Sequence, residues 1–174
     1  MPMILYLMRH GIAEEPTPTM ADSERALTRE GRRKTRAVAK GLLRMGVPPL
    51  PIVSSPFRRA RETAVIVAGV LNGRPDVTLL PALQPGVPAS SLIRWLQSRH
   101  ESALFLVGHE PDLSRLAAAL LTGEGTLNLA FKKAGVCAME WSGHLRPGRA
   151  RLLWFMPPRA LRRLRRSNPD EDEE

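Results

Sequence analysis

The feature that most constrains this chain is an alternation. Short apolar runs, too brief to be helices, are separated by longer segments with apolar residues on one helical face. Residues 3–8, 52–54, 77–80 and 103–107 read as strands. Between them lie three helical segments. The first runs from an N-capping Thr28 to about Met45, with Val38, Leu42 and Met45 on one side. The second begins at Pro56, a residue suited to the first turn of a helix, and ends near Leu71 before Asn72-Gly73. The third begins at Ser90 or Ser91 and ends near Arg99, and a fourth opens at Pro111 after the last of these strands and runs through Leu121. Strands alternating with helices imply a mostly parallel sheet with helices on both faces.

The pattern changes in the last third. Residues 135–141 and 151–155 read as two strands joined through Gly143 to Gly148, a hairpin that would make the sheet mixed at its margin. The expected fold is therefore α/β, three layers α/β/α around a mostly parallel mixed sheet. Residues 12–27, with Pro16 and Pro18, read as a loop, and residues 159–166 as a short basic helix. At 174 residues the chain is expected to form one domain over residues 1–166, followed by an acidic, disordered tail at 167–174.

Composition limits the partners. Lys and Arg number 26 against 17 Asp and Glu, a net charge of +9, which favours anionic ligands. Cys137 is the only cysteine, so no internal disulfide can form, and it reads as an inert core residue. The apolar opening is cut short by Arg9 and His10 and has the flanks of no secretory leader, and no other apolar stretch is long enough to span a bilayer. A cytoplasmic monomer without membrane contact is the expectation. The basic residues of 159–166 lack interleaved aromatics, and no nucleic-acid module surrounds them.

Three segments would fall at the carboxyl ends of strands, where open α/β sheets bind ligands. They are Arg9-His10-Gly11, Ser54 to Ala60, and Gly108-His109-Glu110-Pro111. Together they would bring two histidines, at least two arginines and several helix N-termini to one place. Such a set suits phosphoryl transfer. Charge spread over three phosphoryl oxygens calls for fixed donors, and arginine supplies a planar fork that never deprotonates. A neutral imidazole is a competent nucleophile near pH 7. Ser54 and Ser55 lack the Gly-x-Ser-x-Gly elbow of a serine hydrolase and are expected to cap the helix at Pro56. His100 and His144 match no motif and are expected at the surface, and Lys132 and Lys133 in a solvated loop.

The runs LYLMRHG, SSPFRRARETA and LVGHEPDLS resemble the three signatures of the histidine phosphatase superfamily, the phosphoglycerate-mutase-like group. The triplet Arg-His-Gly alone specifies little, but all three runs in order, each after an expected strand, are specific. The segments DSERALTREG, KKAGV and PPRALRR make the chain similar to the bacterial phosphohistidine phosphatase branch of SixA type, over roughly residues 3–165. The resemblance implies that His10 is the nucleophile and that Arg9, Arg59 and His109 bind the phosphoryl group. It also implies a ping-pong cycle through phospho-His10, with inorganic phosphate or a similar oxyanion held in the pocket. No cofactor and no metal are implied. Arg58, one position earlier, would point elsewhere.

One departure bears on the substrate. Related chains often carry Pro-Glu-Leu where this one has Pro81-Ala82-Leu83, so a carboxylate able to protonate a leaving alkoxide is missing there. Glu14, Glu15 or Glu110 could stand in as proton donor. A phosphoramidate needs less help, because its imidazole leaves as a neutral group once protonated. The expectation is a phosphohistidine on a protein. The alternatives are a small-molecule phosphate monoester in the same pocket, or a non-catalytic basic adaptor for nucleic acid or a phosphoprotein.

Overall fold

The structure, a computed structural model, describes residues 1–164. The expected acidic tail at 167–174 and the last two residues of the basic segment 159–166 lie outside them. Six strands form one mixed sheet: β1 (Met3–Arg9), β2 (Ile52–Ser54), β3 (Thr78–Leu79), β4 (Ala103–Gly108), β5 (Val136–Trp141) and β6 (Arg151–Met156). Five α-helices pack on it: α1 (Arg29–Arg44), α2 (Arg58–Asn72), α3 (Ala89–Gln97), α4 (Asp112–Thr122) and α5 (Pro158–Leu164). Strand order is β3-β2-β4-β1-β5-β6. The first four strands run parallel, β5 pairs antiparallel with β1, and β6 with β5. The α/β layering and the hairpin at the margin are those the sequence implies.

The sheet separates two cores. Leu5 and Leu7 of β1 and Leu104 and Leu106 of β4 face one way, against Leu92, Leu96, Leu113, Leu116 and Leu120 of α3 and α4. Tyr6, Met8, Phe105 and Val107 face the other way, against Val38 and Leu42 of α1, Ala64 and Val67 of α2 and Leu161 of α5. Period-two alternation thus feeds both faces, and β1 up to Met8 and β4 up to Val107 are apolar on every residue because both strands are covered. Burying each such leucine contributes about 1.5–3 kcal/mol. Cys137 is buried in the first core, as expected, and burial pushes its thiol up to about 12. His100, His144, Lys132 and Lys133 are exposed.

Small residues set the helix spacing on the second face. A Cβ on Gly41 would meet the Leu161 carbonyl oxygen at 2.1 Å, and one on Gly31 would meet the Ile12 carbonyl at the same distance. Glycine at these positions lets α1 press directly on the backbone of α5 and of the loop after β1.

Three expectations are corrected. The helix expected at Pro56 begins at Arg58, with Phe57 as its N-cap residue. Ser54 and Ser55 therefore do not cap it. Ser55 Oγ accepts from the Phe57 amide at 3.2 Å, which closes a turn that holds Pro56 outside the helix, and Ser54 Oγ donates to the Ser55 carbonyl. The segment 12–27 is not wholly irregular. Ala13 bridges Leu27, and Asp22–Glu24 forms a 3-10 turn. Thr28 does cap α1, its hydroxyl accepting from Gly31 N at 2.9 Å.

Candidate active site

The three motif segments meet beyond the carboxyl ends of β1, β2 and β4. Parallel register brings Arg9 opposite Gly108 and Ser54 opposite Val107. The sheet then continues for one more residue on each strand: His10 N donates to the Gly108 carbonyl (3.1 Å) and Ser55 N to the Val107 carbonyl (3.0 Å). His10, Ser55 and His109 thus sit on adjacent strand ends. His10, Arg59 and His109 are all nearly buried, at 7%, 6% and 3% exposure. The two imidazole rings lie 5.3 Å apart, and Phe57 packs edge-on against His109.

The backbone sets the tautomer of His10. Its Nδ1 lies 2.7 Å from the carbonyl oxygen of Gly11, an acceptor only, so Nδ1 carries the proton. Nε2 is left with its lone pair, and Arg59 Nε donates toward it at 3.3 Å. Burial, reinforced by His109, Arg59 and Arg9, pushes the His10 pKa down to about 3, against the opposing pull of the Gly11 carbonyl. His10 is therefore neutral at physiological pH, with an unprotonated nitrogen directed at a guanidinium.

His109 is similarly neutral. Burial, helped by Arg59 and Arg9 and opposed by Asp22, pushes it down to about 4. Its Nε2 lies 2.8 Å from Ser55 Oγ. Ser55 Oγ also accepts from Phe57 N; with its own proton given to His109 Nε2, the proton of the ring sits on Nδ1. His109 Nδ1 is buried with no hydrogen-bond partner among the described residues, and so is Arg9 Nε. Two buried donors without protein acceptors are the mark of a site shaped for an anion.

The arginines are held from behind. Arg9 Nη1 donates to the Phe131 carbonyl at 2.9 Å. The segment after Phe131 returns the grip on the backbone: Ala134 N donates to the carbonyls of Arg9 (3.0 Å) and His10 (3.1 Å). Ala134 does this in the left-handed region, at φ 64°, a conformation costly for a residue with a Cβ. The KKAGV segment singled out in the sequence thus anchors the end of β1. Thr63 ties α2 to the same place, accepting from Gly11 N (3.0 Å) and donating to the Arg59 carbonyl (2.7 Å).

The residue that sequence reasoning missed is Asp22. Arg59 Nη1 donates to its carbonyl at 2.8 Å and Nη2 to its carboxylate at 3.1 Å. Its other oxygen accepts from Arg25 Nη1 at 2.8 Å. The hydrogen bond from Arg25, helped by Arg59, holds the Asp22 carboxyl below its usual range. The loop bearing it is pinned by Glu62, which accepts from Leu27 N (2.7 Å), Arg32 (3.0 Å) and Arg58 (3.0 Å). Arg58 thus points away from the histidines, as expected. The available signal was the spacing Asp22-x-x-Arg25 ahead of the Thr28 cap, a local ion pair that leaves one carboxylate oxygen for another partner.

The carboxylates named from sequence are placed elsewhere. Glu110 accepts from the amide of Ser114 at 3.0 Å and from its hydroxyl, so both oxygens face α4. Its charge is nonetheless felt at Arg9, whose pKa burial and Arg59 lower and Glu110 raises. Glu14 is exposed and accepts from Ala26 N at 3.4 Å, and Glu15 is exposed. Ala82 is half-buried in a 3-10 turn, Pro81–Leu83, with no group to offer a proton. Among the described residues no group of three or more His, Cys, Asp or Glu could hold a metal ion, and no helix is long and apolar enough to cross a membrane.

Comparison with known proteins places this geometry in a family. Residues 5–84 match the model of the histidine phosphatase superfamily (branch 1). An uncharacterised protein of Picosynechococcus sp. is 38% identical over 154 residues, covering 86% of this chain and 88% of that protein. The phosphohistidine phosphatase SixA of Escherichia coli is 31% identical over 126 residues, covering 70% of this chain and 76% of that protein. Among solved structures, that of the protein histidine phosphatase SixA complexed with tungstate superposes with a TM-score of 0.80 at 27% identity, over 91% of this chain and 99% of that chain.

Proposed function

The chain belongs to the histidine phosphatase superfamily, and from that premise we propose that His10 Nε2 takes the phosphoryl group from phosphohistidine on a protein and yields it to water. The observation that carries this reading is the tautomer of His10. A proton fixed on Nδ1 by the Gly11 carbonyl leaves Nε2 as a lone pair that needs no deprotonation before it attacks. The low pKa keeps Nε2 unprotonated across the physiological range.

The remaining groups act on charge. Arg9 Nε and His109 Nδ1, buried without protein acceptors, stand ready as donors to the equatorial oxygens of phosphorus, and Arg59 joins them by turning its Nε from His10 Nε2 to a phosphoryl oxygen. Their support is a binding set of two guanidiniums and a neutral imidazole in a site largely closed to water. Tungstate, a tetrahedral oxyanion, binds the related phosphatase, which supports an oxyanion seat here. The arginines neutralise the charge that a divalent cation would otherwise meet.

The choice of a P–N bond rests on proton supply. When His10 Nε2 forms its bond to phosphorus, the P–N bond of the substrate breaks and its electron pair returns to the substrate imidazole. A ring already protonated on its other nitrogen leaves neutral. An alkoxide would need an acid, and both carboxylate oxygens of Glu110 are engaged with Ser114 while Ala82 has none.

The test is single-turnover dephosphorylation, in the presence of a chelator, of a phosphohistidine-bearing protein and of an alkyl phosphate monoester. The expected result is hydrolysis of the phosphohistidine at least ~100-fold faster than the ester, and no hydrolysis by His10→Ala. A preference for the alkyl ester would replace the substrate class. Undiminished activity of His10→Ala would remove the nucleophile.

A further inference from the structure

The geometry points to Asp22 as the general base that takes the proton from the water attacking phospho-His10. This rests on the phosphoenzyme reading above and assigns the half-reaction that reading leaves without a proton acceptor. His10 returns as a neutral leaving group, its Nδ1–H held on Gly11, so the second step needs no acid. It does need somewhere for a proton of water to go.

Asp22 meets the requirements of position, charge and access. It is bound to Arg59, whose Nε reaches His10 Nε2, so one guanidinium separates the carboxylate from the nitrogen that would carry phosphorus. Its charge is also felt at His109, across the same site. Whereas His10 and Arg59 are nearly buried, the Asp22 side chain is 54% exposed, which puts it on the solvent side of the arginine. In-line attack by water on phospho-His10 comes from the side opposite His10, the side from which a protein substrate must enter and leave. A carboxylate there meets the incoming water.

The groups facing Asp22 keep it ionised. Arg25 from the following turn and Arg59 from α2 are cations hydrogen-bonded to it, and the histidines beyond are neutral. Two carboxylate oxygens each accept one arginine N–H, which leaves lone pairs on both for water. An ionised carboxylate is the wrong state for protonating a leaving alkoxide and the right one for accepting a proton. In the step itself, the water oxygen forms a bond to phosphorus, the P–Nε2 bond breaks with its electron pair returning to His10, and one water proton passes to Asp22. Phosphate departs, and Asp22 releases its proton to solvent.

The experiment loads His10 with phosphoramidate, a reagent that phosphorylates histidine without a protein substrate, and follows gain and loss of label by rapid quench. Asp22→Asn keeps an oxygen acceptor for Arg59 but removes the base. The expected result is label gained at a rate within about threefold of wild type and lost at least ~100-fold more slowly, so that phosphoenzyme accumulates. Tungstate affinity within about threefold of wild type would accompany it, because Arg59 keeps its place. Equal slowing of both half-reactions with weakened tungstate binding would overturn the inference and make Asp22 a residue that only positions Arg59. Unchanged loss of label would overturn it as well. No label on the wild-type protein would instead defeat the phosphoenzyme reading, a distinguishable failure.

Discussion

Arg59 touches His10 and Asp22 at once: Nε donates to His10 Nε2 at 3.3 Å while Nη1 and Nη2 hold the carbonyl and carboxylate of Asp22. A planar fork is needed for this, because three donor nitrogens must reach acceptors in fixed directions. Arg59→Lys keeps the charge and loses the fork. The expected outcome is a fall in kcat of about 10²–10³, comparable to removing a transition-state donor. Steady-state kinetics on the phosphohistidine protein checks this.

Stability should fall on mild acidification, before carboxylates protonate. The folded pKa values of His10 and His109, about 3 and about 4, lie below the ordinary histidine value of 6.5. Between those limits the unfolded chain binds more protons than the folded one, so stability is fully present above about pH 6.5 and is lost as pH falls toward 4. Each histidine contributes up to about 1.4 kcal/mol per pH unit inside that window. Denaturant unfolding at pH 7 and pH 5 measures the loss. His10→Gln combined with His109→Gln should flatten the difference.

Gly41→Ala sets helix propensity against packing. In isolation the change favours a helix by about 1 kcal/mol. Here the new Cβ would meet the Leu161 carbonyl at 2.1 Å, a backbone atom that cannot swing aside. Forcing α1 and α5 apart should destabilise the protein by about 1–3 kcal/mol net, read as a lowered denaturant midpoint. Activity below the new midpoint should persist, since Gly41 touches nothing in the site.

What could be read from the sequence was what periodicity and local chemistry encode. The runs at 3–8 and 103–107 are apolar on every residue because β1 and β4 are covered on both faces, and that made them recognisable. His10, Arg59 and His109 could be grouped because each follows a strand in a parallel sheet. Strand order was not legible, since β1 pairs with β4 and β5 across long loops that no local pattern specifies. The start of α2 was misplaced because Pro56 is as suited to a turn as to a helix, and the decisive bond, Phe57 N to Ser55 Oγ, favours the turn. Asp22 was passed over because its loop has no period, and its position depends on Glu62, forty residues on in sequence. Glu14, Glu15 and Glu110, the carboxylates expected as proton donors, lie near motif residues in sequence, but nearness there does not aim a carboxylate.

The central claim is that phosphorus passes through a bond to His10 Nε2. The most direct measurement is to mix the protein with phosphoramidate, quench at high pH, where phosphohistidine survives, and locate the label by peptide mass spectrometry. The account predicts acid-labile phosphate on His10, stoichiometric in Asp22→Asn and absent in His10→Ala. Turnover of a phosphohistidine protein with label on any other residue, or with none trapped in either protein, would contradict it.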